Sequence, residues 1–212
     1  MRKLTAVDNL FGHVDKVLHT LSNVYTEASR PNPAKKISEA PLEKSEKRKS
    51  IGLMRVNHAG EVCAQALYHG QSLTAKLPGT RAQMEEAALE EIDHLAWCKE
   101  RLDELGSHVS FLSPVWYAAS FSIGALAGMI SDKLSLGFVA ETEHQVVIHL
   151  EKHIAKLPEQ DKKSQAILEQ MSKDEDKHRK MAIKAGAVDF PLPVKKMMTL
   201  VSKVMTTTAY RV

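Results

Sequence analysis

Glu91-Ile92-Asp93-His94 and Glu175-Asp176-Lys177-His178 are the two stretches that decide the fold of this chain. In each, a glutamate comes three residues before a histidine, and residues i and i+3 lie on one face of an α-helix. A further glutamate precedes each stretch: Glu61 lies 30 residues before the first, and Glu143 lies 32 residues before the second. This doubled pattern is typical of four-helix bundles that hold two metal ions through carboxylates.

The composition favours one helical domain with a substantial core. The 212 residues are 43% hydrophobic and include only ten glycines and eight prolines, so long helices can run without interruption. Valine and isoleucine recur at helical spacing and not in the alternating runs of strands. Cys63 and Cys98 form no CxxC pair, which fits a reducing compartment. We therefore expect an all-α fold without a disulfide framework.

The apolar periodicity places the candidate ligands on two pairs of helices. It predicts an amphipathic helix over 4–25, followed by a proline-rich linker to about 45. The bundle helices are then expected over 46–76, 80–105, 132–157 and 159–185. Thr80 is expected to be the N-cap of the second bundle helix. A short helix is expected over 193–206. Two short-looped pairs joined by one long crossover form the ferritin-like arrangement. The expected division is an N-terminal helix and linker (1–45), a bundle (46–190) and a C-terminal segment (191–212).

The crossover between the two pairs is unusually apolar. No aspartate, glutamate, lysine or arginine occurs over 107–131. Its length would span a bilayer, but Pro114, Gly124 and Gly128 weaken such a span, and both flanking helices must return to one bundle. We expect this segment to dip into one leaflet or to pack over the bundle, with a merely buried crossover as the alternative.

The charges are distributed unevenly along the chain. Counting lysine and arginine against aspartate and glutamate, the net formal charge is +4 over 1–50, −7 over 51–178 and +6 over 179–212. An acidic body suits a cation site, and basic ends with apolar spacing suit an anionic surface. The C-terminal segment is expected to contact lipid head groups through Lys195, Lys196 and Lys203.

Several neighbouring side chains compete for places in the metal site. Glu141 could replace Glu143, but only Glu143 keeps the two spacings similar, and Glu143 is preferred. Glu90 is expected to be a surface carboxylate. A histidine ligand needs its second ring nitrogen fixed by a partner. The side chains considered for such supporting contacts around the ligands are His58, Asp93, His149, Asp174 and Asp176.

The residues around these ligands resemble a known family. Met54-Arg55-Val56-Asn57-His58-Ala59-Gly60-Glu61 resembles the RVxHAGE signature of the demethoxyubiquinone hydroxylase family. Residues 91–94, 137–143 and 175–178 resemble its other three motifs, and 193–196 and 203–206 resemble the C-terminus of its bacterial members. The resemblance covers most of the chain from about residue 50, and the HAGE block is far more specific than the Glu-x-x-His strings.

The resemblance implies a ferritin-like di-iron mono-oxygenase of ubiquinone biosynthesis. Such an enzyme uses two iron ions and O₂ to hydroxylate the ring of a demethoxylated polyprenyl benzoquinol, with NADH or a partner protein as the electron donor. His149 matches a histidine near the site in family members, whereas Leu150 stands where animal members have a tyrosine, so no role for that tyrosine carries over. The iron ligands that the resemblance implies are Glu61, Glu91, His94, Glu143, Glu175 and His178.

A protein of this kind is expected to be peripheral, at the cytoplasmic face of the cell membrane. Its expected partners are the quinol, membrane lipids and other proteins of ubiquinone biosynthesis, with no nucleic acid; the sequence leaves the oligomeric state open. Two other functions compete. A ferritin-like iron oxidase or storage subunit would share the ligands but need no apolar crossover. A non-enzymatic helical protein of the membrane surface would bind no metal.

Overall fold

The structure is a computed structural model that describes residues 28–212 and the separate positions 12, 15, 17, 18, 20 and 21. This part of the chain is all-helical, without strands, which confirms the predicted fold class. The predicted helix over 4–25 lies largely outside the described residues. Between 28 and 212 the helices are α1 Lys44–Thr74, α2 Pro78–Glu104, α3 Ser113–Ile130, α4 Asp132–Ile154, α5 Lys162–Lys184 and α6 Leu192–Ala209.

Local signals set most of the helix ends. Gly106 and Gly186 follow α2 and α5 with φ of 66° and 99°, a left-handed backbone that glycine adopts without strain. The Ser131 side chain caps α4 by accepting a hydrogen bond from a backbone N–H of its first turn. The prediction of Thr80 as the N-cap of α2 is wrong, because the helix begins two residues earlier, at Pro78. Proline suits a first helical turn, where its missing N–H is not needed.

The crossover helix α3 packs along α1 at very short range. A Cβ atom at Gly70 would lie 2.3 Å from the backbone oxygen of Phe121, and one at Gly124 would lie 2.4 Å from that of Leu67. At Gly128 a Cβ would lie 2.1 Å from a side-chain oxygen of α1. Small residues allow two helix backbones to approach closely. The glycines that weaken a membrane span are therefore the surface by which α3 contacts α1.

The outer sides of α3 and α6 are apolar. Among the described helices, α3 alone is long and apolar enough to cross a membrane, and 28% of it is buried. Trp116 of α3 and Met205 of α6 pack on the same small core cluster, which α1 and α6 share, so both helices contact α1 there. We call their exposed apolar side chains the outer apolar face: Val115, Leu126, Met129 and Ile130 on α3, and Met197, Leu200, Val201 and Val204 on α6.

Residues 28–43, which we call the strap, contain no helix but contact the bundle at several points. Ala34 is buried in the same core cluster as Trp97. The amide nitrogen of Asn32 donates to the Glu100 carboxylate at 2.7 Å. The stretch that the sequence marks as a linker is therefore held against the bundle.

Arg101 joins the strap to α2 and to the start of α5. Its guanidinium donates to Glu39 of the strap at 2.6 Å, to Glu104 at 2.7 Å and to Asp161 at 2.9 Å. The side chains of Arg101 and Asp161 are 1% and 0% exposed. Asp161 also caps α5, accepting from the backbone N–H of Ser164. A buried charge pair therefore ties three segments together.

We expect Arg101→Met to lower the free energy of unfolding by about 3–5 kcal/mol, because it leaves the Asp161 carboxylate buried without its cation. The matched control is Arg48→Met on α1, where the arginine is exposed; a change within about 0.5 kcal/mol is expected there. Urea unfolding of the two variants and the wild type measures the difference. Equal losses in both variants would contradict the structural role given to Arg101.

Candidate metal centre

Four glutamates and two histidines meet in the interior of the bundle. Each of α1 and α4 supplies one glutamate, and each of α2 and α5 supplies a glutamate and a histidine one helical turn apart. None of these residues is more than 3% exposed. They are the six predicted ligands: Glu61, Glu91, His94, Glu143, Glu175 and His178.

The six side chains form two overlapping groups of four. In each group, one ligand atom from every residue lies within 4.8 Å of the others. The first group comprises Glu61, Glu91, His94 and Glu175, and the second comprises Glu91, Glu143, Glu175 and His178. Glu91 and Glu175 belong to both groups. Because a carboxylate has two oxygens, a shared glutamate can bridge two ions. Each group adds one histidine and one glutamate of its own, so the arrangement has the stoichiometry of a two-metal site.

Both histidine rings turn Nδ1 toward the cluster. Nδ1 of His94 lies 3.1 Å from Glu91 Oε2 and 3.0 Å from Glu175 Oε1. Nδ1 of His178 lies 3.1 Å from Glu175 Oε2. A nitrogen in this position, surrounded by carboxylate oxygens, is placed to act as a metal donor.

The opposite ring nitrogens meet carboxylates outside the cluster, in a reciprocal arrangement. Nε2 of His94 on α2 lies 3.0 Å from Asp174 Oδ2 on α5, and Nε2 of His178 on α5 lies 2.8 Å from Glu90 Oε2 on α2. A carboxylate that accepts the Nε2 proton leaves Nδ1 with a free lone pair. The interpretation of Glu90 as a surface carboxylate is therefore wrong. The sequence signal was available, since an acid directly precedes the glutamate of both Glu-x-x-His stretches.

The other two aspartates considered as supporting residues do not contact a ligand histidine in the structure. Asp93 accepts hydrogen bonds from the hydroxyl of Ser29 and, at 2.6 Å, from Arg30. Neither of these donors belongs to the cluster. Asp176 is paired with Arg179 and Lys180 on the outer side of α5. Helical rotation explains this, because Asp176 lies one residue after a ligand glutamate that faces inward.

The remaining candidates lie outside the two groups. His58 is fully buried, and burial, with Lys99 nearby, lowers its pKa to about 3, so it is neutral. His149 packs against His153 with ring centroids 3.8 Å apart. Glu141 accepts a hydrogen bond from Gln145 and lies 3.3 Å from a lysine of α6, whereas Glu143 lies in the cluster.

Tyr68 is a site residue that the Glu-x-x-His spacing does not indicate. Its hydroxyl donates to Oε1 of Glu143, and the residue is 1% exposed. Burial, followed by the Glu143 charge, raises its pKa well above the ordinary value, so it is protonated. Its position seven residues after Glu61, on the same face of α1, was a usable signal. A small cleft between α1 and α4 is lined by this pair and by Ala64, Leu67, Gln71, Phe138, Val139 and Thr142.

Burial and mutual repulsion perturb the carboxylates of the cluster. Burial raises the pKa of Glu61 and of Glu143 well above the usual range, and the charges of Glu91 and Glu175 raise both further. Burial acts in the same direction on Glu91, but hydrogen bonds with the two histidines outweigh it and lower its pKa overall. A group of buried acids is costly unless cations offset the charge.

The donor atoms fit two cations. Among the described residues, Glu91 Oε1, Glu143 Oε2 and Glu175 Oε1 are buried oxygens that accept no hydrogen bond; the last is close to His94 Nδ1 but not aligned with it. Buried polar atoms are normally satisfied, so such a concentration of exceptions calls for an explanation. Two divalent cations among these oxygens would supply both partners and charge balance. The buried cluster could therefore hold metal.

A helical bundle with two Glu-x-x-His helices and two further glutamates inside it has the architecture of the ferritin-like carboxylate proteins. Comparison with known proteins places the chain in one particular family. The chain belongs to the family described as ubiquinone biosynthesis protein COQ7, whose model matches residues 48–209. The matched range contains all six clustered residues and all six helices except the first turn of α1.

Full-length relatives agree with this assignment. The chain is 56% identical over 210 residues to a 3-demethoxyubiquinol 3-hydroxylase of Acinetobacter baumannii, with 99% of each chain covered. It is 57% identical over 209 residues to the protein of that name from Marinomonas sp., covering 99% of this chain and 100% of the relative. It is 56% identical over 211 residues to the one from Ectopseudomonas mendocina, covering 100% and 98%.

Proposed function

We propose that this protein is a di-iron mono-oxygenase that hydroxylates the ring of a demethoxyubiquinol in ubiquinone biosynthesis. The observation that carries the proposal is the pair of four-residue groups that share Glu91 and Glu175. The proteins with which the chain shares 56% identity over nearly its whole length are named for this reaction. Mixed carboxylate and imidazole donors suit iron.

The reaction needs O₂, two electrons and two protons in addition to the quinol. One oxygen atom replaces a ring hydrogen as a hydroxyl group, and the other leaves as water. When bound, two ferrous ions would supply the electrons that make O₂ reactive toward the ring, and NADH or a partner protein would restore them. The protein holds the ligands in place, excludes water from the buried cluster and orients the ring.

The cleft between α1 and α4 is the route that we assign to the ring. Tyr68 and Glu143, beside the cluster, line it together with the apolar side chains of Leu67, Phe138 and Val139. An apolar route suits a quinol head group better than hydrated ferrous ions, because desolvating an ion in such a passage is costly. This favours the hydroxylase over the ferritin-like iron oxidase or storage protein.

Single-turnover product analysis tests the reaction. Protein loaded with ferrous iron and mixed with ¹⁸O₂ and a short-chain demethoxyubiquinol should yield a hydroxylated quinol that carries one ¹⁸O atom, detected by mass spectrometry. Oxidation of the iron without hydroxylated product would support the iron oxidase instead. Failure to bind iron would leave the non-enzymatic alternative.

We further propose that the outer apolar face rests on the cytoplasmic leaflet of the cell membrane, where a long-tailed quinol resides. The segment 107–131 carries no formal charge, and α6 carries three lysines and no acid. Lys195 contacts Asp189 at 2.6 Å and Glu141 at 3.3 Å, so Lys196 and Lys203, which are exposed, are the lysines offered to anionic head groups.

Vesicle flotation tests this orientation. We expect the wild type to float with vesicles that contain phosphatidylglycerol, and Leu126→Glu combined with Met129→Glu to lower binding by about 10- to 100-fold, because each new charge resists transfer into the bilayer. Leu89→Glu is the control, since Leu89 on α2 is 64% exposed but lies outside the outer apolar face. Salt should release the protein only partly, since it screens charges and not apolar insertion. A wild type that stays unbound at low salt would contradict the proposal.

A further inference from the structure

Arg30 connects the strap to a histidine of the metal centre. Its Nε donates to Asp93 Oδ2 at 2.6 Å, and its Nη1 donates to Asp174 Oδ2 at 2.9 Å. The same oxygen of Asp174 lies 3.0 Å from Nε2 of His94. A continuous chain of polar contacts therefore runs from the strap to the metal centre.

Further contacts hold Arg30 in this position. The backbone N–H and the hydroxyl of Ser29 donate to Asp93 at 2.6 and 3.0 Å. The guanidinium lies 5.0 Å from the centroid of the Trp97 ring, and the indole N–H donates to the Arg30 backbone oxygen at 3.4 Å. Trp97 in turn packs beside His94, with ring centroids 5.4 Å apart. A planar guanidinium can stack and bind two carboxylates at once, which a lysine cannot do.

The two halves of the centre differ in the cation that holds the carboxylate next to the histidine. The acid behind His178 is Glu90, and its cation is Lys177, which lies on the same helix as His178 and is 51% exposed. The acid behind His94 is instead held by Arg30, from a part of the chain that precedes residues 48–209, the range that the family model matches. The strap therefore contributes to one half of a centre that is otherwise nearly symmetric.

We propose that Arg30 is a positioning residue for the His94 half of the metal centre, so that the strap determines how firmly that half holds its ion. Arg30 fixes the Asp174 oxygen that accepts the Nε2 proton of His94, and this keeps Nδ1 directed into the cluster. The other oxygen of Asp174 is held by Gln170 at 3.0 Å, which cannot replace the charge of Arg30. This inference rests on the proposed function only in requiring a centre with two ions.

Metal-release kinetics test the inference on the full-length protein. The protein is loaded with ferrous iron without oxygen and mixed with a chromogenic chelator, and release is followed by absorbance. In Arg30→Gln we expect one of the two ions to leave about 10- to 100-fold faster, and the other to leave at the wild-type rate. Arg30→Lys should restore part of the difference. Lys36→Gln, which removes an exposed positive charge of the strap but keeps Arg30 and its contacts, should release both ions at the wild-type rate.

A double substitution distinguishes positioning from a general loss of stability. In an Asp174→Asn background, Arg30→Gln should cause no further acceleration, because the residue through which it acts is already altered. A lower melting temperature of Arg30→Gln with unchanged release of both ions would overturn the inference. Additive effects of the two substitutions would overturn it as well. Failure of the wild type to take up two ions would instead count against the proposed function, which separates the two results.

Discussion

Glu175→Ala is expected to remove both ions from the centre and to end hydroxylation. Glu175 is one of two side chains that belong to both groups of four, and its two oxygens face the two histidines. Loss of a bridging carboxylate therefore weakens both positions, and we expect bound iron to fall from about two ions per chain to about none. Activity should fall by at least about 100-fold, which exceeds the loss expected when only the hydrogen-bond partner of a metal ligand is replaced.

The comparison with Glu61→Ala makes this prediction specific. Glu61 belongs to one group only, so its variant should keep the ion of the other group. Glu169→Ala is the control on the same helix as Glu175, because Glu169 is exposed. Iron quantification of the three purified variants measures the difference. Equal iron contents in Glu61→Ala and Glu175→Ala would show that Glu175 is not shared between two sites.

Loss of function in Glu175→Ala should not come from unfolding. In the presence of a chelator we expect its free energy of unfolding to equal or exceed that of the wild type, because one buried carboxylate is removed from a group that repels itself. Thermal melts with chelator measure this. Cells that lack the protein should accumulate a demethoxylated quinone and recover ubiquinone with the wild-type gene but not with this variant.

Gly70→Ala is expected to destabilise the protein by about 3 kcal/mol or more, although alanine is the better helix former. The added Cβ would lie 2.3 Å from Phe121 O and 2.7 Å from Ala125 N. Both are backbone atoms of α3, so the helix itself must move, and overpacking at such a contact costs more than a side-chain rearrangement. Because α3 then separates from α1, binding to vesicles should weaken as well.

Gly60→Ala is the matched control, since it is the same substitution in the same helix. A Cβ at Gly60 meets nothing within 4 Å. We therefore expect a gain of up to about 1 kcal/mol from the lower conformational freedom of the unfolded chain. Urea unfolding of both variants should give changes of opposite sign. Two changes of the same sign would contradict the close α1–α3 contact.

The block Met54–Glu61 serves the fold as well as the metal centre. Arg55 donates to the backbone oxygen of His108 at 3.0 Å and to the Ser107 hydroxyl at 2.9 Å, which fastens the loop between α2 and α3. Asn57 lies 3.1 Å from Nδ1 of His153 on α4. Only Glu61 of this block belongs to the cluster. In this chain the block therefore combines packing contacts with one residue of the cluster.

The sequence by itself determined the structural features that depend on local periodicity. Helical spacing indicated the bundle helices, most of their ends and the apolar crossover, because a repeat of 3.6 residues and a glycine or serine at a helix end act within a few residues. It also named the six residues that meet in the interior, since a glutamate and a histidine one turn apart share a face in any straight helix.

The tertiary structure decided the side-chain contacts that depend on how the helices face each other. Which acid meets which histidine follows from the rotation of α2 against α5, and this rotation brings Glu90 of α2 to His178 of α5. The contact of Arg30 with Asp174 joins residues 144 positions apart. No periodic signal marks such a pair, because its geometry arises from the packing of distant segments and not from the local conformation of either one.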